Sequence, residues 1–98
     1  MEGVLMSVVR VTTINFDSEE NAGIAVKSYA ETAPNDFPGA DQLLGIHAEG
    51  NIGIYVSLYA DNEAMEKAAG TRSKALDSIQ GIVSVDTKIG NVEINHTN

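Results

Sequence analysis

The run IGIYVSLY at 52–59 alternates, residue by residue, between two sets of side chains. Ile52, Ile54, Val56 and Leu58 form one set, and Gly53, Tyr55, Ser57 and Tyr59 the other. Successive side chains of a strand point to opposite faces, so this period of two marks a strand with one uniformly apolar face. A second extended run, LLGIHAE at 43–49, precedes it across Gly50-Asn51. Both linking residues tolerate the positive φ of tight primed turns, which predicts a β-hairpin. An isolated hairpin is marginal in water, so the rest of the chain must supply further strands and a layer that covers the apolar face.

The flanking segments do so. VLMSVVRVTTI at 4–14 is rich in Val, Ile and Thr and has no Gly or Pro, which predicts a strand. Asn15, Asp17 and Ser18 follow as turn and cap residues; Asp17 with Glu20 has capping-box spacing, and acids at 17, 19 and 20 suit the positive end of a helix dipole. Ala22, Val26, Tyr29 and Ala33 recur at helical spacing, predicting a helix over 19–33 that Pro34 and Asn35 end. NDFPGADQ at 35–42 is loop chemistry. Asp61, Asn62 and Glu63 open a second helix with Met65, Ala68 and Ala69 on its buried stripe. Gly70-Thr71 interrupts it, a short helix runs from Ser73 to Gln80 with Leu76 and Ile79 inward, and Gly81 terminates it. The stretch 82–95, IVSVDTKIGNVEIN, reads as extended with a bulge at Gly90-Asn91. The order strand, helix, strand, strand, helix, strand, joined by right-handed crossovers, predicts an α+β, ferredoxin-like fold: a four-stranded antiparallel sheet with helices on one face. At 98 residues the whole chain, 1–98, is expected to form one such domain.

Charge and composition limit what the chain can bind. Fourteen acids against six bases give a formal charge of −8, which repels phosphate backbones and anionic lipid, so neither nucleic acid nor membrane is expected as a partner. There is no Cys, which excludes disulfides, thiolate metal sites, cysteine nucleophiles and iron–sulfur clusters. No segment approaches the ~20 apolar residues of a membrane span. Glu2 and the early Arg10 do not fit a signal peptide, so the cytoplasm is the expected compartment. Asn95-His96-Thr97 matches a glycosylation sequon, which has no meaning without a secretory signal. Phosphate-loop, dinucleotide-fingerprint, hydrolase-elbow and metalloprotease motifs are missing from the sequence.

The alternation assigns two sheet faces. Ile52, Ile54, Val56 and Leu58, with Leu44, Ile46 and Ala48, are expected beneath the helices. Leu43, Gly45, His47, Glu49, Tyr55, Ser57 and Tyr59 then occupy the free face. Both parities of the first strand are apolar; Arg10 is assigned to the free face with Met6, Val8 and Thr12, because a charge beneath helices is costly. A free face this apolar calls for cover, which a second copy can provide in a homodimer with two sheets packed around a shared cavity. On this assignment Val56→Asp unfolds the chain, whereas Tyr55→Asp weakens dimerisation or ligand binding first.

The stretch PGADQLLGIHAEGNIGIYVSLYADNEAMEKAAGTRSKALDSI at 38–79 resembles the dimeric α+β barrel superfamily, especially its antibiotic-biosynthesis-monooxygenase-like branch. The matching features are Pro38-Gly39, Leu44-Gly45, the strand Tyr55 to Tyr59, the acidic helix start Asp61 to Glu63 and the break at Gly70-Thr71. The resemblance implies a homodimeric ferredoxin-like barrel and a small-molecule enzyme that oxidises an aromatic or quinone-like substrate without a bound cofactor. Two departures matter. The chain has no Trp, and Tyr59-Ala60-Asp61 occupies the junction where members that oxidise polyketides or degrade haem commonly carry one. The second helical segment, Arg72 to Gln80, lacks the His of haem-degrading members, which argues against that activity.

The candidate chemistry lies on the free face. His47-x-Glu49 is the pattern of a general base oriented by a carboxylate, or of two metal ligands. The zinc-deaminase version lacks its Cys ligands, and no metal is assigned. Tyr55 and Tyr59, about 13 Å apart on one face of a strand, can hydrogen-bond and wall a phenolic or quinone-like ligand, or pack a dimer interface. Arg10 can hold a carboxylate or an enolate-like anion, or pair with an acid such as Glu49. In the enzyme reading His47 is the base, Arg10 holds the anion, and Tyr55, Tyr59 and Glu49 bind the substrate. The alternative is a non-catalytic dimeric module that binds a metabolite or assembles. An enclosed cavity into which His47, Arg10 and Tyr55 converge distinguishes the two.

Overall fold

The computed structural model describes residues 7–98. The chain runs β1 (Val8–Phe16), α1 (Glu19–Asp36), β2 (Gln42–His47), β3 (Ile52–Tyr59), α2 (Asn62–Lys67), α3 (Ala69–Ser78) and β4 (Ile82–Asn91). The strands form one four-stranded sheet in the order β2-β3-β1-β4, with every neighbouring pair antiparallel. This is the ferredoxin-like α+β fold, its second helix divided into α2 and α3. The first residues of the expected opening strand, Val4 to Met6, lie outside the described residues.

Local chemistry sets the element ends, sometimes not where the sequence places them. Ser18 rather than Asp17 caps α1: its Oγ accepts from the Asn21 amide at 3.0 Å, and Asp17 instead accepts from the Asn21 side chain at 2.7 Å. Pro34 lies inside the last turn of α1, which closes with the Phe37 amide donating to the Ala33 carbonyl at 2.8 Å. Its missing N–H costs one helical bond, but its fixed φ suits the helix, so Pro34 does not end it. Asp61 caps α2 as expected, accepting from the Ala64 amide at 2.8 Å. The break that follows falls at Ala68, whose amide bonds Met65 in a tighter turn before the helical path resumes; Gly70 lies within α3. The hairpin turn contains Gly50 at a φ of 71°, and Gly81 takes a φ of 84° before β4. The irregular register lies at Asn15/Phe16 against β4, not at Gly90-Asn91.

The sheet faces are the reverse of the expectation. Along β1 every second residue is buried: Val8, Arg10, Thr12, Ile14 and Phe16. Directly paired residues share a face, and Val8 pairs with Tyr59, Arg10 with Ser57, Thr12 with Tyr55 and Ile14 with Gly53. The Gly-Tyr-Ser-Tyr set of β3 therefore lies beneath the helices, and Ile52, Ile54, Val56 and Leu58 face outward with Leu44 and Ile46. Arg10 is likewise beneath the helices and is 8% exposed.

Size complementarity explains the reversal. Tyr29 of α1 meets Tyr55 edge-on, with centroids 4.9 Å apart and planes at 69°. Glycines make room for these rings. A Cβ at Gly45 would lie 3.0 Å from the Tyr29 ring, and one at Gly53 would lie 2.9 Å from the Tyr55 hydroxyl and 3.2 Å from the Phe16 ring. Ala22, Ala25 and Ala33 form the buried face of α1, so this helix can lie close to the sheet. A β-branched residue in place of Gly45 or Gly53 would intrude on the space that the Tyr29 and Tyr55 rings occupy.

Two apolar clusters result. Ile14, Phe16, Ala22, Ala25 and Tyr55 form one, with Val26, Tyr29, Leu76, Ile79 and Ile82 packed on it. Val8, Tyr59 and Met65 form the other. Between them, on the buried row of β1, stand Arg10 and Thr12. Truncating Phe16, which is fully buried, to Ala should cost about 3–5 kcal/mol in urea denaturation. Tyr55→Asp should abolish a cooperative thermal transition measured by circular dichroism. Val56→Asp should keep one, since its carboxylate can be hydrated on the outward face.

Candidate functional site

A cavity of about 250 Å³ lies where the two clusters part, between the helix-facing side of the sheet and helices α1 and α3. Its floor includes Arg10, Thr12, Leu43, Tyr55, Ser57 and Tyr59. Tyr29, Ser28 and Thr32 enter from α1, and Arg72 and Leu76 from α3. The cavity is partly open and lies within one chain on the helix-facing side of the sheet, not between two sheets as the sequence predicts. The reversed faces are the cause, because they turn Tyr55, Ser57 and Tyr59 inward.

Two guanidinium groups dominate its charge. The Arg10 Cζ stands 5.9 Å from the centre of the Tyr59 ring, within range of a cation–π contact. Arg72 reaches down from α3, and its Nη2 donates to Thr12 Oγ1 at 3.1 Å and to Thr87 Oγ1 at 2.9 Å. Thr12 and Thr87 are direct partners on β1 and β4, so the ladder presents both hydroxyls to one side chain. Burial lowers the Arg72 pKa from its ordinary value, and the nearby Arg10 charge lowers it further. Among the described residues the ion pair present is Lys88 with Asp86 on β4, and neither arginine is in one.

The tyrosines supply neutral donors. The hydroxyls of Tyr55 and Tyr59 are buried with no hydrogen-bond partner among the described residues. An unpaired buried hydroxyl carries a desolvation cost of about 1–3 kcal/mol. Burial pushes the Tyr55 phenol up to about 12. Tyr29 also rises to about 12, first through burial and then through Tyr59 and Tyr55, with Arg10 opposing. These two phenols therefore remain protonated at neutral pH and can donate to an oxygen, whereas neither can serve as a base.

Arg10, Tyr55 and Tyr59, expected as site residues, come together on the cavity wall. His47 and Glu49 do not join them. His47 ends β2 and is exposed; its Nε2 lies 3.0 Å from the Gly50 carbonyl, where it donates across the hairpin turn, and its ring lies against Gly23 of α1. Glu49 is exposed in the turn between β2 and β3. Among the described residues no three His, Asp or Glu side chains lie close enough to hold a metal ion. Arg72, Tyr29 and Thr12 were not singled out from the sequence as site residues. A signal for Arg72 existed: Ala68, Arg72, Leu76 and Ile79 fall on one helical stripe, so a cation interrupts an otherwise apolar inward row.

The tyrosine environment predicts alkaline behaviour. The folded chain holds protons on Tyr29 and Tyr55 to about 12, whereas an unfolded chain releases them near 10.0. The associated stability is complete below the lower value and is lost as pH rises through the higher one. A spectrophotometric titration of phenolate absorbance should show these two tyrosines ionising late, with Tyr55→Phe removing one of the late steps and urea resistance falling across the same window.

No protein-family model and no curated protein sequence matches the chain. Solved structures do. A monooxygenase of Streptomyces coelicolor in complex with nanaomycin D superposes with a TM-score of 0.76 at 15% identity, covering 95% of this chain and 93% of that one. A dimeric ferredoxin-like protein from an uncultured marine organism gives 0.73 at 15% identity over 95% and 93% of the two chains. A cofactor-independent oxygenase of Streptomyces nogalater gives 0.68 at 14% identity over 91% and 95%. The chain has the ferredoxin-like fold found in antibiotic-biosynthesis-type monooxygenases.

Proposed function

We propose that this protein is a small-molecule enzyme of the cofactor-independent monooxygenase kind, acting as a homodimer on a compact aromatic or quinone-like substrate. The observation that carries the reading is the cavity in which the Arg10 and Arg72 guanidinium groups meet aromatic and aliphatic walls that include Tyr29, Tyr55, Tyr59 and Leu76. The shared fold of the Streptomyces oxygenases supports it. A volume of about 250 Å³ matches a molecule of one or two rings, since about 150 Å³ already admits benzene.

The division of roles follows from charge. An electron-rich phenol or hydroquinone reacts with dioxygen most readily as its anion. A neighbouring cation and neutral donors favour that anion, as they favour any oxyanion that develops during reaction. Arg10 supplies the cation, Ser57 and Thr32 on the cavity wall offer neutral donors, and Tyr55 and Tyr59 wall the ring. With an anthrone, whose enol is such a phenol, the ring CH₂ becomes a carbonyl and dioxygen also yields one water, with all the electrons drawn from the substrate. The reading leaves His47 and Glu49 to the hairpin turn rather than to proton transfer.

The outward face supports the homodimer. Val9, Val11, Ile52, Ile54, Val56 and Leu58 lie on it beside Leu44, 47% exposed, and Ile46, 42% exposed. That is too continuous an apolar surface for a lone chain, and a second copy covers it. The same surface favours the second reading, in which the protein is a non-catalytic dimeric metabolite-binding or assembly module.

Oxygen uptake with a naphthohydroquinone or anthrone, measured against the enzyme-free rate, separates the two. The enzyme reading expects acceleration that falls by about 10²–10³ in Arg10→Met and declines in Tyr55→Phe, with His47→Ala close to wild type. No acceleration over the enzyme-free rate would leave the binding-module reading. Val56→Asp should shift the sedimenting species from dimer to monomer while the chain remains folded.

A further inference from the structure

Both arginines of this chain line one cavity. The sequence has fourteen acids to balance six cations, yet among the described residues neither arginine is in an ion pair, and Asp36, an exposed residue at the end of α1, is the one acid on the cavity wall. Arg72 is held by two threonine hydroxyls, which are neutral acceptors and leave its charge uncompensated. Arg10 Cζ stands 5.9 Å from the centre of the Tyr59 ring, an interaction that likewise holds a cation without neutralising it. Arg10 is buried and Arg72 half-buried, so the two like charges repel with incomplete screening, and an anion that joins them relieves that repulsion.

We propose that Arg10 and Arg72 form a paired-guanidinium anion site, and that the ligand of this cavity is a compact aromatic carboxylate. The inference rests on the reading of the cavity as a ligand site and adds the charge and head group of the ligand; it does not depend on catalysis. A planar guanidinium matches the two oxygens of a carboxylate, and one fixed by its own hydrogen bonds loses little freedom on binding. Thr32 and Ser57 also line the cavity and offer neutral hydroxyl donors beside the two guanidinium groups. The remaining wall, with Tyr29, Leu43, Leu76 and Ile79, suits an apolar ring and not a hydrated ion such as free phosphate. Arg72 also belongs to α3 and Arg10 to β1, so the anion ties the helical layer to the central strand.

Calorimetric titration of the full chain with naphthalene carboxylate and with naphthalene carboxamide, the same ring charged and neutral, tests the proposal. The carboxylate should bind at least about tenfold more tightly than the amide at neutral pH, and this ratio should fall to within about threefold in Arg72→Gln. Arg10→Lys, which keeps a charge but loses the planar fork, should reduce the ratio less than Arg10→Met. Equal binding of the two probes to the wild-type chain overturns the anion site and leaves the cavity reading standing. A ratio unchanged in both Arg72→Gln and Arg10→Met overturns it as well. Failure of both probes to bind removes the proposal together with the ligand-site reading beneath it. The wild-type comparison needs no variant, so a poorly folded Arg10→Met does not affect it, and thermal melts of each variant establish which ones are compared.

Discussion

The interaction on which the rest depends is the pair of hydrogen bonds from Arg72 to Thr12 and Thr87. They tie α3 to the two strands β1 and β4 beside the cavity. Without them, a gap flanked by two greasy clusters would be expected to close, because dry voids lose dispersion contacts on every side. A polar strut across the gap, beside an arginine that is in no ion pair among the described residues, makes collapse unfavourable: closing would bury charge still further. The cavity is therefore a consequence of where polar residues interrupt the buried row of β1, Val8-Arg10-Thr12-Ile14-Phe16, and not of a missing side chain.

The second determinant is the pairing of rings with glycines. Tyr29, Tyr55 and Phe16 need volume that Gly45 and Gly53 leave open on adjacent strands, and the alanine face of α1 lets the helix approach. These residues place the Tyr29 ring over the sheet edge-on to Tyr55. The carbon frames of these side chains serve as core, and Tyr29, Tyr55 and Tyr59 also line the cavity. Tyrosine thus performs both tasks here, and the absence of Trp from the chain is met by three tyrosines on one side of the sheet.

Much of this was legible in the residues. The alternation at 52–59, the Gly50-Asn51 hinge, the acidic helix starts and the order of elements lead to the observed fold. What alternation cannot convey is which of two faces turns inward. On β3 the choice lay between four aliphatic residues and Gly-Tyr-Ser-Tyr, and hydrophobicity alone selects the aliphatic set. The deciding quantity is volume matched across elements far apart in sequence, such as Tyr29 against Gly45 and Tyr55, and a single-segment pattern does not contain it. Arg10 was displaced by the same logic: the cost of burying a charge assumes a filled interior, whereas here the interior is hollow beside it. His47 has the inward parity, but it stands at the strand end, where the hairpin carbonyl of Gly50 is nearer than the cavity.

The sheet separates two different environments with a single backbone layer. Ser57 borders the cavity, while Val56 and Leu58, its chain neighbours, lie on the outward face; the same holds for Arg10 between Val9 and Val11. Consecutive residues of a strand are only about 3.3 Å apart along it, so neither surface has a support of its own. Any adjustment of twist or pleat that improves the fit outside reshapes the floor inside by the same amount. Shape on the two sides is one mechanical variable, and a substitution in β1 or β3 acts on both.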